Sequence, residues 1–575
     1  MPLEAHLKNL KTIEDLQNLL IETIGFEETD ERVFFPEEKH VLTEEYSQPL
    51  KLAELFDFSV LVLPVKRQLL KTRQRAAIET LQKRYPFALY IFVDLSQQLW
   101  HWVFPKPDQI AHQKILRRME IGVDERLHTI IERLTQLSQA LLECENTGEV
   151  VAAVDKAFDV EMVSEQFFRA YQQQYENFKQ RLQVDNKNKS WVYDDNKLSR
   201  YVQLLLGRIL FLHFLEKKTW LNQNNNFIRD LQLPYAKKEQ QGFYREVLRP
   251  LFFEALNQPG DKKAINGQEY FIPFLNGGLF EAREEFDEAD LINCPHFADE
   301  LFTELLNMLG QYNFTVDEST PLDQIVGIDP EMLGKVLENL LEAEVRHASG
   351  TYYTPRSIVA YMCRETLYRH LSISRNQFNQ LVDAASTGDT APLEPKLAQE
   401  LNKQLDQLKI LDPAVGSGAF LLGMLQEILL LKESLARVEA ETIPRATLKR
   451  HIIHNSLYAV DISFPAIEIA RLRLWLALVV DEAKPEPLPN LDYHIIRGNT
   501  LQTLFDGKPV LPVKTENQQK ELLATSNQAH TKKLLQNLDD LYVANGAKKS
   551  KLRQQIKAQL TAMVEAHWAS QLPLS

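Results

Sequence analysis

The sequence predicts an α/β fold: a parallel, doubly wound sheet preceded by a helical stretch and a small mixed α/β domain. Three observations carry that expectation. Between about 325 and 505, short apolar runs alternate with helix-period segments, the strand–helix–strand order of a parallel sheet. From about 125 to 340 the apolar spacing is helical. Ahead of that, short apolar runs surround one basic helical segment. At 575 residues the chain is too long for one ordinary core, and a length prior gives roughly three or four domains. The expected divisions are 1–125, 126–324, 325–510 and 511–575.

Taken in order, Met1 to Leu20 mixes acidic and basic residues in helical rotation and lacks the apolar core of a signal segment. A strand over Phe58–Leu63 meets Pro64, and a basic helix carrying Lys66, Arg67, Lys71, Arg73, Arg75, Lys83 and Arg84 follows. Strands over Ala88–Val93 and Leu99–Val103 flank a turn at Ser96–Gln98. Leu204–Leu215 is apolar nearly all round, which predicts a buried helix, and falls short of the ~20 residues of a membrane span. Asn222–Asn226 and Asn276-Gly277-Gly278 predict loops. Residues 375–407 are a polar excursion expected on the surface. Strands follow at Leu408–Leu411, Leu457–Val460 and Tyr493–Ile496, and residues 514–575 predict a helical hairpin broken near Asn545-Gly546.

Composition narrows the function. The hydrophobic share of 44% is ordinary for a globular chain, and a cytoplasmic, soluble protein without a membrane partner is expected. A net charge of −14 argues against a protein that coats nucleic acid, because phosphate neutralisation needs clustered cations. A local patch on the basic helix remains open, beside the plainer reading of a solvated helix face. Cys144, Cys294 and Cys363 lie too far apart for a disulfide framework or a CxxC metal site.

The strongest chemical signal sits at a strand end. Asp412-Pro413 closes the strand, Gly416-Ser417-Gly418 turns, and a helix opens near Ala419-Phe420. Glycines at such a corner let backbone approach a ligand, and the helix start offers N–H groups. A GxG turn alone also serves nicotinamide and flavin enzymes. Here a carboxylate stands at the strand end, suited to an amine-bearing ligand, and Phe420-Leu421 stand where the dinucleotide fingerprint has its third glycine. Asp461, at the next strand end, can accept from ribose hydroxyls in either class of site, and as a lone residue it is equally a helix N-cap.

The segments Asp329–Asn339, Gly350–Pro355, Asp412–Phe420, Val460–Ile462 and Arg497–Thr500, in that order, resemble the adenine-specific, gamma-class DNA methyltransferases, especially the large fused type IIG restriction–modification enzymes. Leu204–Lys218 and Leu275–Glu281 look like the same family. The resemblance implies an S-adenosylmethionine-dependent, Rossmann-like sheet, with a nuclease-like domain before the helical connector. It implies that Thr351 and Tyr353 flank the methionine part of the cofactor, and that Asp412, Ala414, Gly416 and Gly418 form the turn around its amino-acid end. Asp461 would hold the ribose, and Asn499 would lie near the adenine. Double-stranded DNA is the implied partner, with Lys66, Lys71, Arg73 and Arg75 as phosphate contacts.

Two departures shape the expectation. Family members act through an Asn-Pro-Pro-Tyr or Asp-Pro-Pro-Tyr loop that grips an extruded adenine, and no Pro-Pro pair occurs in this sequence. The expected sheet is therefore incomplete, no catalytic residue is assigned, and a second polypeptide supplying the loop and the target-recognition domain is the expectation; the alternative is an inactive remnant. The family's nuclease carries an acid and then Glu-x-Lys. Here Asp57 stands as the first acid, but Pro64 replaces the glutamate before Lys66, so no metal site is expected.

Overall fold

Two apolar strands packed side by side organise the N-terminal region. The structure, a computed structural model, describes residues 3–36, 40–107, 114–122, 127–237, 242–275, 278–290, 292–312, 314, 323–325, 327–328, 332, 354–501, 504–505, 508–509, 528–544 and 546–569. The chain divides into two compact units, the first built from Met1–Phe178, Glu300–Leu408 and Leu422–Ile452, the second from Lys179–Asp299, Lys409–Leu421 and Ile453–Ser575.

The first unit holds a sheet in the order β1 (Glu27–Arg32), β2 (Leu50–Leu55), β3 (Phe58–Pro64), β4 (Ala88–Val93), β5 (Leu99–Pro107), β6 (Lys114–Gly122) and then the short strand Asp323–Ile325. β3 and β4 run parallel, Ser59 opposite Ala88, through the crossover helix Lys71–Leu81. Every residue of β4 is buried, as expected of a strand covered on both faces. Ala77, Ile78 and Leu81 of the helix pack on Leu61, Leu63, Tyr90 and Phe92.

This sheet is larger than the apolar runs foretold. β1 is the acidic stretch Glu-Glu-Thr-Asp-Glu-Arg, mostly exposed and legible only by its pairing with β2. β6 is interrupted by Arg117 and Arg118, both buried. The strand Asp323–Ile325 joins β6 from far along the chain. Residues 375–407 fold as two helices whose many exposed polar positions fit a surface segment and whose apolar positions face inward. Ser374 and Gln377 form a capping box on the helix Arg375–Thr387. That helix and Pro395–Gln407 bury Phe378, Leu381, Leu401 and Leu405.

In the second unit, Asp194 caps the helix Asp195–Lys217 by accepting from Lys197 N. At 23 residues this helix is long and apolar enough to cross a membrane, but 89% of its most apolar 18-residue stretch is buried inside the structure, as in a core helix. At Gly207 it faces the helix Phe464–Asp481, where an added Cβ would make ordinary contact with Leu472 Cδ2 at 3.5 Å. Arg208, with no exposed surface, pairs with Glu288 at 2.6 Å and donates to the carbonyls of Leu279 and Glu281. That pair fixes the segment after Gly278.

The helix Phe464–Asp481 covers a parallel sheet of three strands, Ile410–Asp412, Leu457–Asp461 and Ile495–Arg497, in sequence order. Among the described residues, Ile410–Asp412 is an edge strand. Arg471 ties the covering helix to the third strand through Ile495 O at 2.6 Å. The helices Gln528–Val543 and Gly546–Ala569 make the expected hairpin, with Gly546 at φ +51. Glu281 and Asp492 receive Lys549 and Arg553 from its second helix.

Candidate functional site

The carboxyl ends of the three parallel strands meet at the glycine turn. Asp412 stands opposite Ala459, and Asp461 opposite Arg497. Beyond Pro413, which cannot donate to a ladder, Val415 N donates to Val460 O at 3.0 Å and Gly416 N to Asp461 Oδ2 at 2.8 Å. Gly418 N closes the turn on Val415 O at 2.8 Å. Gly416 has φ +52 and Gly418 φ +89, left-handed backbone that suits glycine. A Cβ added at Gly416 would meet nothing within 4 Å, so the turn is open on that side; at Gly418 it would come within 3.2 Å of Ala470.

Both oxygens of Asp461 are engaged, the second accepting from Ser463 N at 2.7 Å. The carboxylate thus brackets the turn and the start of the next helix, where Ser463 is the N-cap. Each oxygen keeps a second lone pair for a ligand hydroxyl. Asp412 accepts from Ala414 N at 3.1 Å. Burial pushes its carboxyl above the usual range, the bond from Ala414 opposes this, and the Asp461 charge adds to it. From the third strand, Thr500 Oγ1 donates to Pro413 O at 3.0 Å, and Gly498 N to Asp461 O at 2.9 Å. Asn499 is exposed, and its Oδ1 accepts from Leu501 N.

The structure therefore brings Asp412, Ala414, Gly416, Gly418, Asp461 and Asn499 to one end of one sheet. Thr351 and Tyr353 lie outside the described residues, as do Asn276 and Gly277. Sequence reasoning gave Thr500 and Arg473 no role of their own; Thr500 bonds Pro413 O, and Arg473 bonds Ser417 through its carbonyl and hydroxyl, contacts with no local signature. A cleft of about 370 Å³ lies elsewhere, by Tyr493 ahead of the third strand and against the helix Gly546–Ala569.

In the first unit the basic positions separate. Lys66 is exposed and donates to Thr43 O at 3.3 Å, while Lys71 and Arg73 are half-buried. Arg75 is 6% exposed, so its guanidinium serves neighbours inside the protein rather than a phosphate outside it. Asp57 and Lys66 sit beyond opposite ends of β3, roughly 25–30 Å apart along an extended chain. The acid and the lysine of the nuclease pattern are therefore not brought to one site. Among the described residues no group of three His, Cys, Asp or Glu side chains could hold a metal ion.

Residues 388–543 match the DNA-methyltransferase domain of MmeI. A putative type II restriction enzyme and methyltransferase of Methanocaldococcus jannaschii is 33% identical over 332 residues, 53% of this chain and 28% of that protein. Over these regions the chain is similar to type II restriction–modification DNA methyltransferases. DNA methyltransferase A of Bacillus subtilis is 23% identical over 319 residues, 55% of this chain and 30% of that protein. The chain thus spans under a third of the length of either relative. The solved structure of the Type IIL restriction-modification enzyme MmeI with DNA covers 58% of this chain and 40% of its own at 20% identity, with a TM-score of 0.39. A DrdV–DNA complex covers 87% and 40% at 12% identity, with a TM-score of 0.30. At those scores the fold rests on this chain's own strands, not on either structure.

Proposed function

We propose that the turn Asp412–Gly418 and Asp461 bind S-adenosylmethionine, and that the chain is the cofactor-binding part of a gamma-class, type IIG-like methyltransferase acting on adenine in double-stranded DNA. The observation that carries this reading is the pair of carboxylates at adjacent parallel strand ends, bracketing an open glycine turn. Two acids at the mouth of the turn suit a ligand with an ammonium group and ribose hydroxyls; they oppose a pyrophosphate. The match of residues 388–543 to a DNA-methyltransferase domain covers the same elements.

In this reading Asp412, Ala414, Gly416 and Gly418 surround the amino-acid end, Asp461 accepts from the ribose, and Asn499 lies near the base, with Thr351 and Tyr353 completing the methionine side. When bound, S-adenosylmethionine supplies an activated methyl group for the exocyclic amine of adenine. This chain's residues bind and orient it. No Pro-Pro pair occurs in these 575 residues, so the loop that grips the adenine is supplied by polypeptide outside them, on the same chain or another. Among the described residues Ile410–Asp412 is an edge strand, where further strands can add. Lys66, Lys71 and Arg73 are the proposed phosphate contacts, with Arg75 holding their helix in place.

Calorimetric titration of the chain with S-adenosylmethionine and with NAD tests the reading. Saturable binding of S-adenosylmethionine and none of NAD is expected; the reverse would make the turn a dinucleotide site.

A further inference from the structure

Beneath the glycine turn lies a buried cation that stands apart from the proposed ligand contacts. Arg473, on the helix Phe464–Asp481, is 1% exposed. Its Nη1 donates to Ser417 O at 2.8 Å and reaches Ser417 Oγ at 3.3 Å. Among the described residues its Nε is buried without a hydrogen-bond partner. Elsewhere in this unit a buried arginine answers a carboxylate, as Arg208 answers Glu288. Arg473 instead directs its charge at the backbone of the turn.

An uncompensated guanidinium in an interior is costly, and an apolar side chain of similar volume would pack there at no such cost. Packing alone does not require an arginine. Its geometry does something packing cannot. A charge-assisted bond to Ser417 O turns that carbonyl inward and sets the plane of the Ser417–Gly418 peptide. One helical turn earlier, Ala470 meets Gly418, where even a methyl group would crowd it at 3.2 Å. The covering helix therefore holds the turn at two successive points.

We infer that Arg473 is a positioning residue for the amino-acid end of the cofactor, fixing the turn through Ser417 so that the turn's backbone is held in place to meet that end of the ligand. The inference rests on the S-adenosylmethionine reading above and goes beyond it in one respect: the arginine affects one end of the ligand and not the other.

The test compares ligands that differ at that end. The chain and its Arg473→Met and Arg473→Gln variants are titrated with S-adenosylhomocysteine, which keeps the amino acid, and with 5′-methylthioadenosine, which lacks it. For Arg473→Met, affinity for S-adenosylhomocysteine should fall roughly tenfold, the scale of one charge-assisted hydrogen bond, while affinity for methylthioadenosine changes less than about twofold. Arg473→Gln keeps a donor without the charge and should lie between. Should Arg473→Met fail to fold, the ratio of the two affinities in Arg473→Gln decides: a ratio shifted toward methylthioadenosine supports the inference, and an unchanged ratio overturns it. Equal losses on both ligands would reveal a purely structural arginine. If the unaltered chain binds neither ligand, the cofactor reading fails, a different outcome from failure of the inference.

Discussion

In the parallel sheet of the second unit, the three strands send their carboxyl ends to the same edge, so Asp412, Asp461 and the residues after Arg497 meet without long excursions. In the larger sheet of the first unit most neighbours are antiparallel, and successive strand ends fall on opposite edges. Its polar groups accordingly turn to one another. Arg118 donates to Gln74 Oε1 at 2.9 Å, and Gln74 Nε2 lies 3.0 Å from His101 Nδ1, all within the interior. Parallel pairing brings the strand-end acids Asp412 and Asp461 to one edge, whereas Asp57 and Lys66 lie beyond opposite ends of a single strand and stay apart.

The comparison can be broken first through stability. In the second unit, Arg208→Ala leaves Glu288 buried and uncompensated and should cost about 3–5 kcal/mol by denaturant unfolding. In the first unit, Gln74→Ala removes a neutral partner and should cost about 1–3 kcal/mol. Equal losses would mean that the two interiors hold their polar groups alike.

Acid should also separate the units. His494, just ahead of the third parallel strand, stacks on Tyr458 with ring centroids 5.0 Å apart, and its Nδ1 lies 3.2 Å from Leu457 O. Burial lowers its pKa to about 4, against the bond to Leu457 and with help from His454 and Lys409. The unfolded chain binds this proton at higher pH than the folded one, so the stability contributed is full above pH ~6.5 and is lost as pH falls toward 4. The loss is at most about 3 kcal/mol, and His494→Gln should flatten it. A slope that survives the substitution would place the acid sensitivity elsewhere.

The smallest effect concerns DNA. Replacing Lys71 and Arg73 by Ala should reduce the salt dependence of DNA binding by about 0.9 in log–log slope for each phosphate left unneutralised. An unchanged slope would return the helix Lys71–Leu81 to a solvated face.

The parts of this architecture visible in the sequence are those where a local pattern coincides with a local cause. The apolar runs of β3 and β4, the all-apolar helix around Leu204–Leu215 and the break at Gly546 each follow from spacing or backbone freedom within a few residues. β1 and the strand Asp323–Ile325 do not, because acidic or three-residue strands exist only through a distant partner. The same division runs through the site. Asp412, Gly416 and Asp461 are legible because strand ends and glycine turns are written locally. Thr500 on Pro413 and Arg473 on Ser417 span 87 and 56 residues, and only the folded sheet brings them together.

The most direct test of the central claim is the affinity of S-adenosylmethionine for the chain and for Asp461→Ala, measured by calorimetry under one condition. The expected result is saturable binding that weakens by about 1–3 kcal/mol when the ribose-facing carboxylate is removed. Undiminished affinity in the variant, or no binding to the unaltered chain, would contradict the assignment of the parallel sheet's carboxyl end as the cofactor site.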